Sequence, residues 1–175
     1  MKTFVAFADL TYIEKGISSN AFPYAASVVS SYAKKKLGDT IDIEIFKYPL
    51  DFKNYLEKNE PNIVCFTNYS WTMSISYEFA TKIKKKYPNS TIVFGGPNYP
   101  NETDTQKRFL ETYPTIDFYV KGEGELAFVN LFKKLKEFNF DNQKLKALKS
   151  KIGNCHYIFD KELYVGDNLE RVKEL

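Results

Sequence analysis

Two glycine-rich segments follow apolar stretches of the chain, and their residue types suit ligand binding. One follows the apolar residues 92–94, and the other follows the apolar residues 118–120. Ligands of open α/β sheets bind where the chain leaves the carboxyl ends of buried strands, and glycine there allows close approach of a bulky ligand or a positive φ angle. The residues we expect at such a site are Gly95, Gly96, Pro97, Gly122 and Gly124.

A third segment, residues 67–72, combines hydroxyl groups with aromatic rings. It contains Thr67, Asn68, Tyr69 and Trp71, the only tryptophan of the chain. Polar groups flanked by flat apolar faces suit a large conjugated ligand or the tail of a nucleotide. A hydroxyl here could instead cap the following helix, and Trp71 could pack against a partner domain. The segment is a candidate binding loop.

The segment after the first apolar stretch, residues 9–20, is long for a connection between a strand and a helix, which usually has about two to six residues. Asp9, Thr11 and Tyr12 lie in it. Asp9 could act as a base or cap the loop through hydrogen bonds. A functional loop and an excursion without function both stay open.

No catalytic constellation or metal site is predicted. The chain has one histidine, His156, which we place on the surface of a hairpin, and it has no C-x-x-C, H-x-x-x-H or G-x-S-x-G motif. Gly122, Gly124 and Ala127 match the dinucleotide pattern G-x-G-x-x-A, but after the fifth apolar stretch rather than the first. A tight turn before a helix is the preferred interpretation there. The chain is predicted to hold a ligand rather than to transform it alone.

Apolar stretches and amphipathic segments alternate five times before residue 150. The predicted strands are residues 4–8, 41–45, 62–66, 91–94 and 117–120. This alternation predicts an α/β fold, a five-stranded parallel Rossmann-like sheet that is doubly wound, with helices on both faces. The flavodoxin-like order 2-1-3-4-5 is favoured.

The pattern changes after residue 150. Residues 154–159 and 162–165 predict a β-hairpin appendage. We therefore expect residues 1–150 to form the α/β domain and residues 151–175 to form a hairpin and a linker, although a frayed terminus is an equal alternative for residues 166–175.

Composition excludes several classes of function. The 175 residues carry 43% hydrophobic and 27% charged side chains with a net charge of +3, which suits one globular domain and argues against a nucleic-acid partner. The lysine runs at residues 34–36 and 84–86 are expected to be solvated helix ends. Cys65 is predicted to be buried, and two cysteines give no disulfide framework. Without a signal peptide or an apolar stretch of membrane-spanning length, the expectation is a cytoplasmic protein with no membrane partner.

Several motifs in order resemble the N-terminal cobalamin-binding domain of cobalamin-dependent radical SAM enzymes, a class rich in methyltransferases. The resemblance covers nearly the whole chain and rests on the set rather than on any one member. The motifs are Phe22-Pro23-Tyr24-Ala25-Ala26, Asn62-Ile63-Val64-Cys65-Phe66-Thr67, Ile92-Val93-Phe94-Gly95-Gly96-Pro97, Tyr119-Val120-Lys121-Gly122-Glu123-Gly124-Glu125 and Ile152-Gly153-Asn154 with its hairpin.

The resemblance implies a cobalamin (vitamin B12) site. In that family the domain holds the lower face and the nucleotide tail of the cofactor. Thr67, Asn68 and Tyr69 stand where related domains carry S-x-L, Gly95 and Gly96 match a glycine pair that makes room for the tail, and Gly122 and Gly124 would line the same wall. Residues 9–12 and Trp71 would lie beneath or beside the corrin.

The resemblance also implies a partner that these residues do not include. In the family, a radical SAM barrel follows and carries a four-iron four-sulfur cluster on a C-x-x-x-C-x-x-C motif, together with S-adenosylmethionine. We expect both groups only in a downstream domain. The tail of this chain is interpreted as a linker toward that domain.

One departure concerns the lower cobalt ligand. Cobalamin domains of the methionine synthase type carry D-x-H-x-x-G after the first strand, and counting from Asp9 puts Thr11 at the histidine and Glu14 at the glycine. No protein ligand to cobalt is therefore predicted from this loop. Radical SAM relatives often lack it.

Three hypotheses follow. The first is a cobalamin-binding module of a radical SAM methyltransferase. The second is a degenerate interaction domain that docks on a barrel without a corrin, and the third is a flavodoxin-like domain that binds a nucleotide or flavin.

Overall fold

The computed structural model describes residues 2–11, 13–14, 17–18 and 22–173 of the chain. The strands are β1 (Thr3–Ala8), β2 (Ile13–Glu14), β3 (Ile17–Ser18), β4 (Ile41–Phe46), β5 (Ile63–Thr67), β6 (Thr91–Gly95), β7 (Phe118–Val120), β8 (Cys155–Phe159) and β9 (Glu162–Val165). The helices are α1 (Tyr24–Leu37), α2 (Pro49–Lys58), α3 (Met73–Lys86), α4 (Thr103–Thr112), α5 (Glu125–Glu137) and α6 (Asn142–Ala147). Helix α6 is absent from the sequence-based expectations.

The main sheet has the predicted order. Strands β4, β1, β5, β6 and β7 lie side by side and run parallel, which is the order 2-1-3-4-5. The order reverses between β1 and β5, the switch point at which open α/β sheets bind ligands. Thr67 pairs with Gly95 and Gly95 with Val120, so the carboxyl ends of β5, β6 and β7 lie level. The small strands β2 and β3 pair antiparallel within the long loop after β1.

Helices cover both faces of the sheet because its strands are apolar on both sides, as parallel strands between two helix layers are. On one face, Val5, Cys65 and Val93 pack with side chains of α1, α5 and α6. On the other face, Val64 and Ile92 pack with side chains of α2, α3 and α4. The predicted burial of Cys65 is confirmed, and Cys65 and Cys155 are both free thiols.

The predicted hairpin forms, but it continues the sheet rather than standing beside it. Strand β8 pairs antiparallel with β7, and β9 pairs with β8, which gives seven strands. His156 lies opposite Tyr119 in this pairing and is 3% exposed, so the prediction of a surface histidine is wrong. Hairpin periodicity gives no information on which strand the hairpin pairs with, and that pairing buries His156.

The segment after β9 packs against the loop that follows β7. The backbone N–H of Leu169 donates to Asn154 Oδ1 at 2.9 Å, and the Asn154 N–H donates to the Asp167 carbonyl at 2.9 Å. Arg171 Nε lies 2.7 Å from Glu123 Oε1. Residues 166–173 therefore run beside the carboxyl end of β7.

A buried ion cluster lies at the opposite, amino edge of the sheet. Asp117 contacts Lys146 Nζ at 3.2 Å and Lys84 Nζ at 2.7 Å, and its carboxylate accepts from the Ile92 N–H at 2.8 Å. The lysine runs do end α1 and α3 as predicted, but Lys84 is paired rather than fully solvated. Among the helices that the structure describes, none has both the length and the apolar character needed to span a membrane.

Candidate functional site

An apolar slot of about 130 Å³ opens at the carboxyl edge of the sheet, on the face covered by α1 and α5. Sheet residues Phe7, Cys65 and Val93 form part of its lining, and Val120 lies at the end of β7. The slot lies between these two helices and the strand ends, where the loops after β5, β6 and β7 begin. Its position next to the switch point is the one that the fold class predicts for a ligand.

The structure brings half of the predicted site residues together at this slot. Those that line it are Thr67, Tyr69, Gly95, Gly96, Gly122 and Gly124. They come from the last residues of β5 and β6 and from the loops after β5, β6 and β7, three strands that end level with one another. The sheet register is therefore what converts separate sequence segments into one surface.

Two of these glycines are required by close packing. Gly96 has φ +133°, and a Cβ atom there would lie 2.7 Å from the Asn68 carbonyl oxygen. Gly124 has a Cβ position 2.8 Å from Val29 Cγ2, so a side chain there would push against α1. The absence of side chains at both positions keeps the slot walls close to the loop after β5 and to α1.

Thr67 is joined to Asp9 across the switch point. Its hydroxyl donates to Asp9 Oδ1 at 2.6 Å, although the two residues are 58 positions apart. The loop carrying Asp9 is fixed against β4, because the Asp9 N–H donates to the Phe46 carbonyl and the Thr11 N–H to the Lys47 carbonyl. This places a carboxylate beside the slot wall.

Asn68 lies beneath the loops rather than on the slot wall. Its side chain is fully buried; Nδ2 donates to the Asn98 carbonyl at 2.6 Å and to the Tyr119 hydroxyl at 3.0 Å. The Tyr119 hydroxyl in turn donates to the Gly96 carbonyl at 2.9 Å. Asn68 therefore connects the loop after β5 to the loop after β6 and to β7.

Aromatic side chains form a rim beside the slot. Trp71 is 67% exposed, and its ring stacks on Tyr69 with centroids 4.9 Å apart and planes 5° from parallel. Phe22 and Tyr24, which flank the start of α1, are also exposed. Pro97 is exposed on the loop after β6, and Tyr12 lies outside the described residues.

Several buried titratable groups of the sheet and the loops at its edge are held in their neutral forms. Burial raises the pKa of the Cys65 thiol far above its usual range, and burial also raises the pKa values of Tyr99 and Tyr119. Burial, with a smaller contribution from Lys121, lowers the pKa of His156 to about 4. Among the described residues no group of three or more histidine, cysteine or acidic side chains is arranged to hold a metal ion.

Sequence reasoning missed the apolar lining. Ala25, Ala26 and Val29 of α1 and Phe128 of α5 form the wall that faces the sheet. The two consecutive alanines at the start of α1 were one available signal, because small side chains there leave space next to the strand ends. No local signal singles out Phe128 from the other apolar residues of α5.

Comparison with known proteins identifies the fold and the family. Residues 17–132, more than half of the chain, match the family model of the B12 binding domain. A solved structure of the cobalamin-dependent S-adenosylmethionine radical enzyme OxsB, with aqua-cobalamin and S-adenosylmethionine bound, shares the fold with a TM-score of 0.69 at 20% identity. That alignment covers 97% of this chain and 23% of OxsB.

Two curated relatives match a shorter part of the chain. The cobalamin-dependent radical SAM methyltransferase TokK from Streptomyces tokunonensis is 36% identical over 72 residues, which is 41% of this chain and 10% of TokK. The 2-(S-pantetheinyl)-carbapenam-3-carboxylate methyltransferase from Streptantibioticus cattleyicolor is 32% identical over 72 residues, again 41% of this chain and 10% of the relative. The match thus spans about a tenth of the length of these relatives. Since the family model covers most of the sheet and three of the loops that form the slot, the chain belongs to the B12-binding domain family.

Proposed function

We propose that this chain is a cobalamin-binding module that holds the lower face and the nucleotide tail of the cofactor. The observation that carries the proposal is the apolar slot between α1, α5 and the strand ends, which lies beside the switch point of the sheet and is walled by glycines at the ends of β6 and β7. The family membership of the chain agrees with this assignment.

The dimensions of the slot fit part of a cobalamin rather than the whole cofactor. Pockets that enclose a drug-sized ligand have about 300–1,000 Å³, whereas this slot has about 130 Å³. A flat heterocyclic base suits its apolar walls, and a corrin macrocycle would have to lie outside it. The exposed ring of Trp71, which stacks on the half-buried Tyr69 beside the slot, offers an apolar surface for such a macrocycle.

Each part of the site has a proposed role. Gly95 and Gly96 let the tail approach the loop backbone, Gly122 and Gly124 form the adjoining wall, and Thr67 offers its hydroxyl oxygen. Asn68 and Pro97 shape the loops, and Asp9, Thr11 and Tyr12 belong to the segment beneath the corrin.

The proposal assigns cobalt no protein ligand from this segment, since Thr11 occupies the position of the histidine in related domains. Bound cobalamin supplies the group-transfer chemistry at its metal, and the chain supplies binding and orientation.

The larger protein context is also part of the proposal. One of the two relatives is named as a cobalamin-dependent radical SAM methyltransferase and the other as a carbapenam-carboxylate methyltransferase. We propose that this module works with a radical SAM barrel, in the same chain or another, that carries S-adenosylmethionine and a four-iron four-sulfur cluster, and that the pair is a methyltransferase. In this proposal, residues 1–150 bind the cofactor, residues 151–175 lead toward the barrel, and the location is cytoplasmic.

A titration of the purified chain with hydroxocobalamin tests the proposal. Trp71 is the only tryptophan, so tryptophan fluorescence reports on the rim of the slot and on no other part of the chain. We expect binding to quench this fluorescence, to shift the visible spectrum of the corrin toward a form without its own base on cobalt, and to raise the melting temperature.

Two variants locate the site. Gly95→Leu and Ala25→Phe each add bulk to the slot from a different wall, and both should weaken cobalamin binding at least tenfold while the chain stays folded. The control Glu60→Leu places the same leucine side chain at an exposed position before β5, at the other edge of the sheet, and should bind normally. A folded wild-type chain that does not bind cobalamin would contradict the proposal. Stabilisation by flavin or nucleotide alone would favour the flavodoxin-like alternative.

A further inference from the structure

The hydroxyl proton of Thr67 is already used in a hydrogen bond to Asp9. Thr67 Oγ1 lies 2.6 Å from Asp9 Oδ1, a short distance that suits a hydrogen bond to a charged group. A threonine hydroxyl has one proton to donate, and a carboxylate has none. The remaining lone pairs of Thr67 Oγ1 can therefore only accept a hydrogen bond from a group in the slot.

The other polar side chain in the slot lining besides Thr67 is the Tyr69 phenol, which stays protonated because burial raises its pKa and which can donate as well as accept. The carbonyl oxygens of Gly95 and Gly96 are already paired beneath the slot, where they accept from the Asn68 N–H at 2.7 Å and from the Tyr119 hydroxyl at 2.9 Å. The thiol of Cys65 stays protonated because burial raises its pKa, and a thiol is a weak donor. No lysine, arginine or histidine lines the slot among the described residues.

The acceptor at Thr67 favours a hydrogen-bond donor on the ligand. We propose that Asp9 makes Thr67 an acceptor toward the slot, so the slot prefers a corrinoid whose nucleotide base carries an N–H donor over one whose base offers only acceptors. The inference rests on the proposed function, in which the slot takes the nucleotide tail. An aminopurine base has the required donor, and a benzimidazole linked through one ring nitrogen does not.

Two corrinoids that differ in one group provide the test. One carries adenine as its base and the other carries unsubstituted purine, so only the first has an exocyclic amine. Cobinamide, which lacks the nucleotide, measures what the tail contributes. Dissociation constants come from the quenching of Trp71 and from the visible spectrum, with the intact chain and without any turnover assay.

The expected result is tighter binding of the adenine corrinoid by about 2- to 10-fold, the range of one net hydrogen bond. Thr67→Val should abolish this preference because it removes the acceptor and keeps the shape, and Thr67→Ser should keep it. Asp9→Ala should reduce the preference, since the freed hydroxyl can then donate to an acceptor on purine. Melting temperatures identify any variant that does not fold.

Each outcome has a separate meaning. Equal binding of the two nucleotide corrinoids, or preference for purine, would overturn this inference while leaving the cobalamin site intact. Failure of both to bind better than cobinamide would overturn the assignment of the slot to the tail, and the inference with it. A preference that survives Thr67→Val would also overturn it, because the selecting group would lie elsewhere.

Discussion

The side-chain amide of Asn68 donates a hydrogen bond to the hydroxyl of Tyr119 over 3.0 Å, although the two residues are 51 positions apart. Both side chains are fully buried, and the same hydroxyl donates to the Gly96 carbonyl. The loop after β5, the loop after β6 and strand β7 are thus held by one small network below the slot. Buried networks of this kind rigidify a structure when every member is satisfied.

Loss of this network should destabilise the fold cooperatively. Asn68→Ala removes the donor to the Tyr119 hydroxyl and to the Asn98 carbonyl, together with the acceptor of the Asn98 side-chain amide, and should cost about 2–4 kcal/mol. Tyr119→Phe should cost about 1–2 kcal/mol. Because the two residues share a hydrogen bond, the double variant should cost less than the sum by about 0.5–3 kcal/mol. Urea unfolding of the four proteins measures this coupling. Strict additivity would show that the two side chains act independently.

Gly96 should tolerate alanine less well than Gly38 does. Both glycines have positive φ, +133° and +59°, so both alanine variants carry backbone strain of about 1–3 kcal/mol. Only Gly96→Ala adds a contact with the Asn68 carbonyl oxygen, whereas a Cβ at Gly38 has nothing within 4 Å. We expect a further loss of about 1–3 kcal/mol for Gly96→Ala from overpacking. Equal losses in urea unfolding would contradict the packing role of Gly96.

The stability of the fold should fall in mild acid because of His156. Burial lowers its pKa to about 4 from the ordinary value of 6.5, so the unfolded chain binds a proton that the folded chain does not. Stability from this residue is therefore complete above about pH 6.5 and is lost as the pH falls toward about 4. The size of the effect is about 3 kcal/mol at most.

One histidine in the chain makes this measurement direct. The ring protons of His156 should titrate near pH 4 in an NMR experiment on the folded protein. Urea unfolding at several pH values gives the free energy of unfolding as a function of pH. Between pH 6.5 and 4 this free energy should fall less steeply for His156→Gln than for the wild type. The same pH dependence of the unfolding free energy in both proteins would assign the acid sensitivity to the carboxylates instead.

The segment after β9 should be ordered through Asn154. This residue has φ +56°, its N–H donates to the Asp167 carbonyl, and its Oδ1 accepts from the Leu169 N–H. Asn154→Gly keeps the backbone conformation and removes the side-chain acceptor, so the Leu169 amide should exchange with solvent faster by about tenfold or more, with little loss of global stability. The control Lys151→Ala removes only an exposed ion pair to Asp167 and should leave the exchange rate unchanged. Slow exchange in both variants would contradict the role of Asn154.

The sequence predicted the part of the fold that depends on local patterns. Continuous apolar stretches such as residues 63–66 are buried strands because a parallel sheet is covered on both faces. Their alternation with amphipathic helices predicted the strand order, which the structure confirms. The same patterns placed Thr67, Gly95 and Gly122 at strand ends, and these residues do line one slot.

The tertiary structure decided what no local pattern specifies. Pairing of β8 with β7 buried His156 beside Tyr99 and made the hairpin part of the sheet. The Thr67 hydroxyl donates to Asp9, which is 58 residues away in the chain. The wall of the slot depends on how closely α1 and α5 approach the strand ends. Residue type and spacing determine which elements form, because propensity and burial pattern act over a few residues. Which side chains meet is determined by sheet register and helix packing, because those contacts join segments that are distant in the chain.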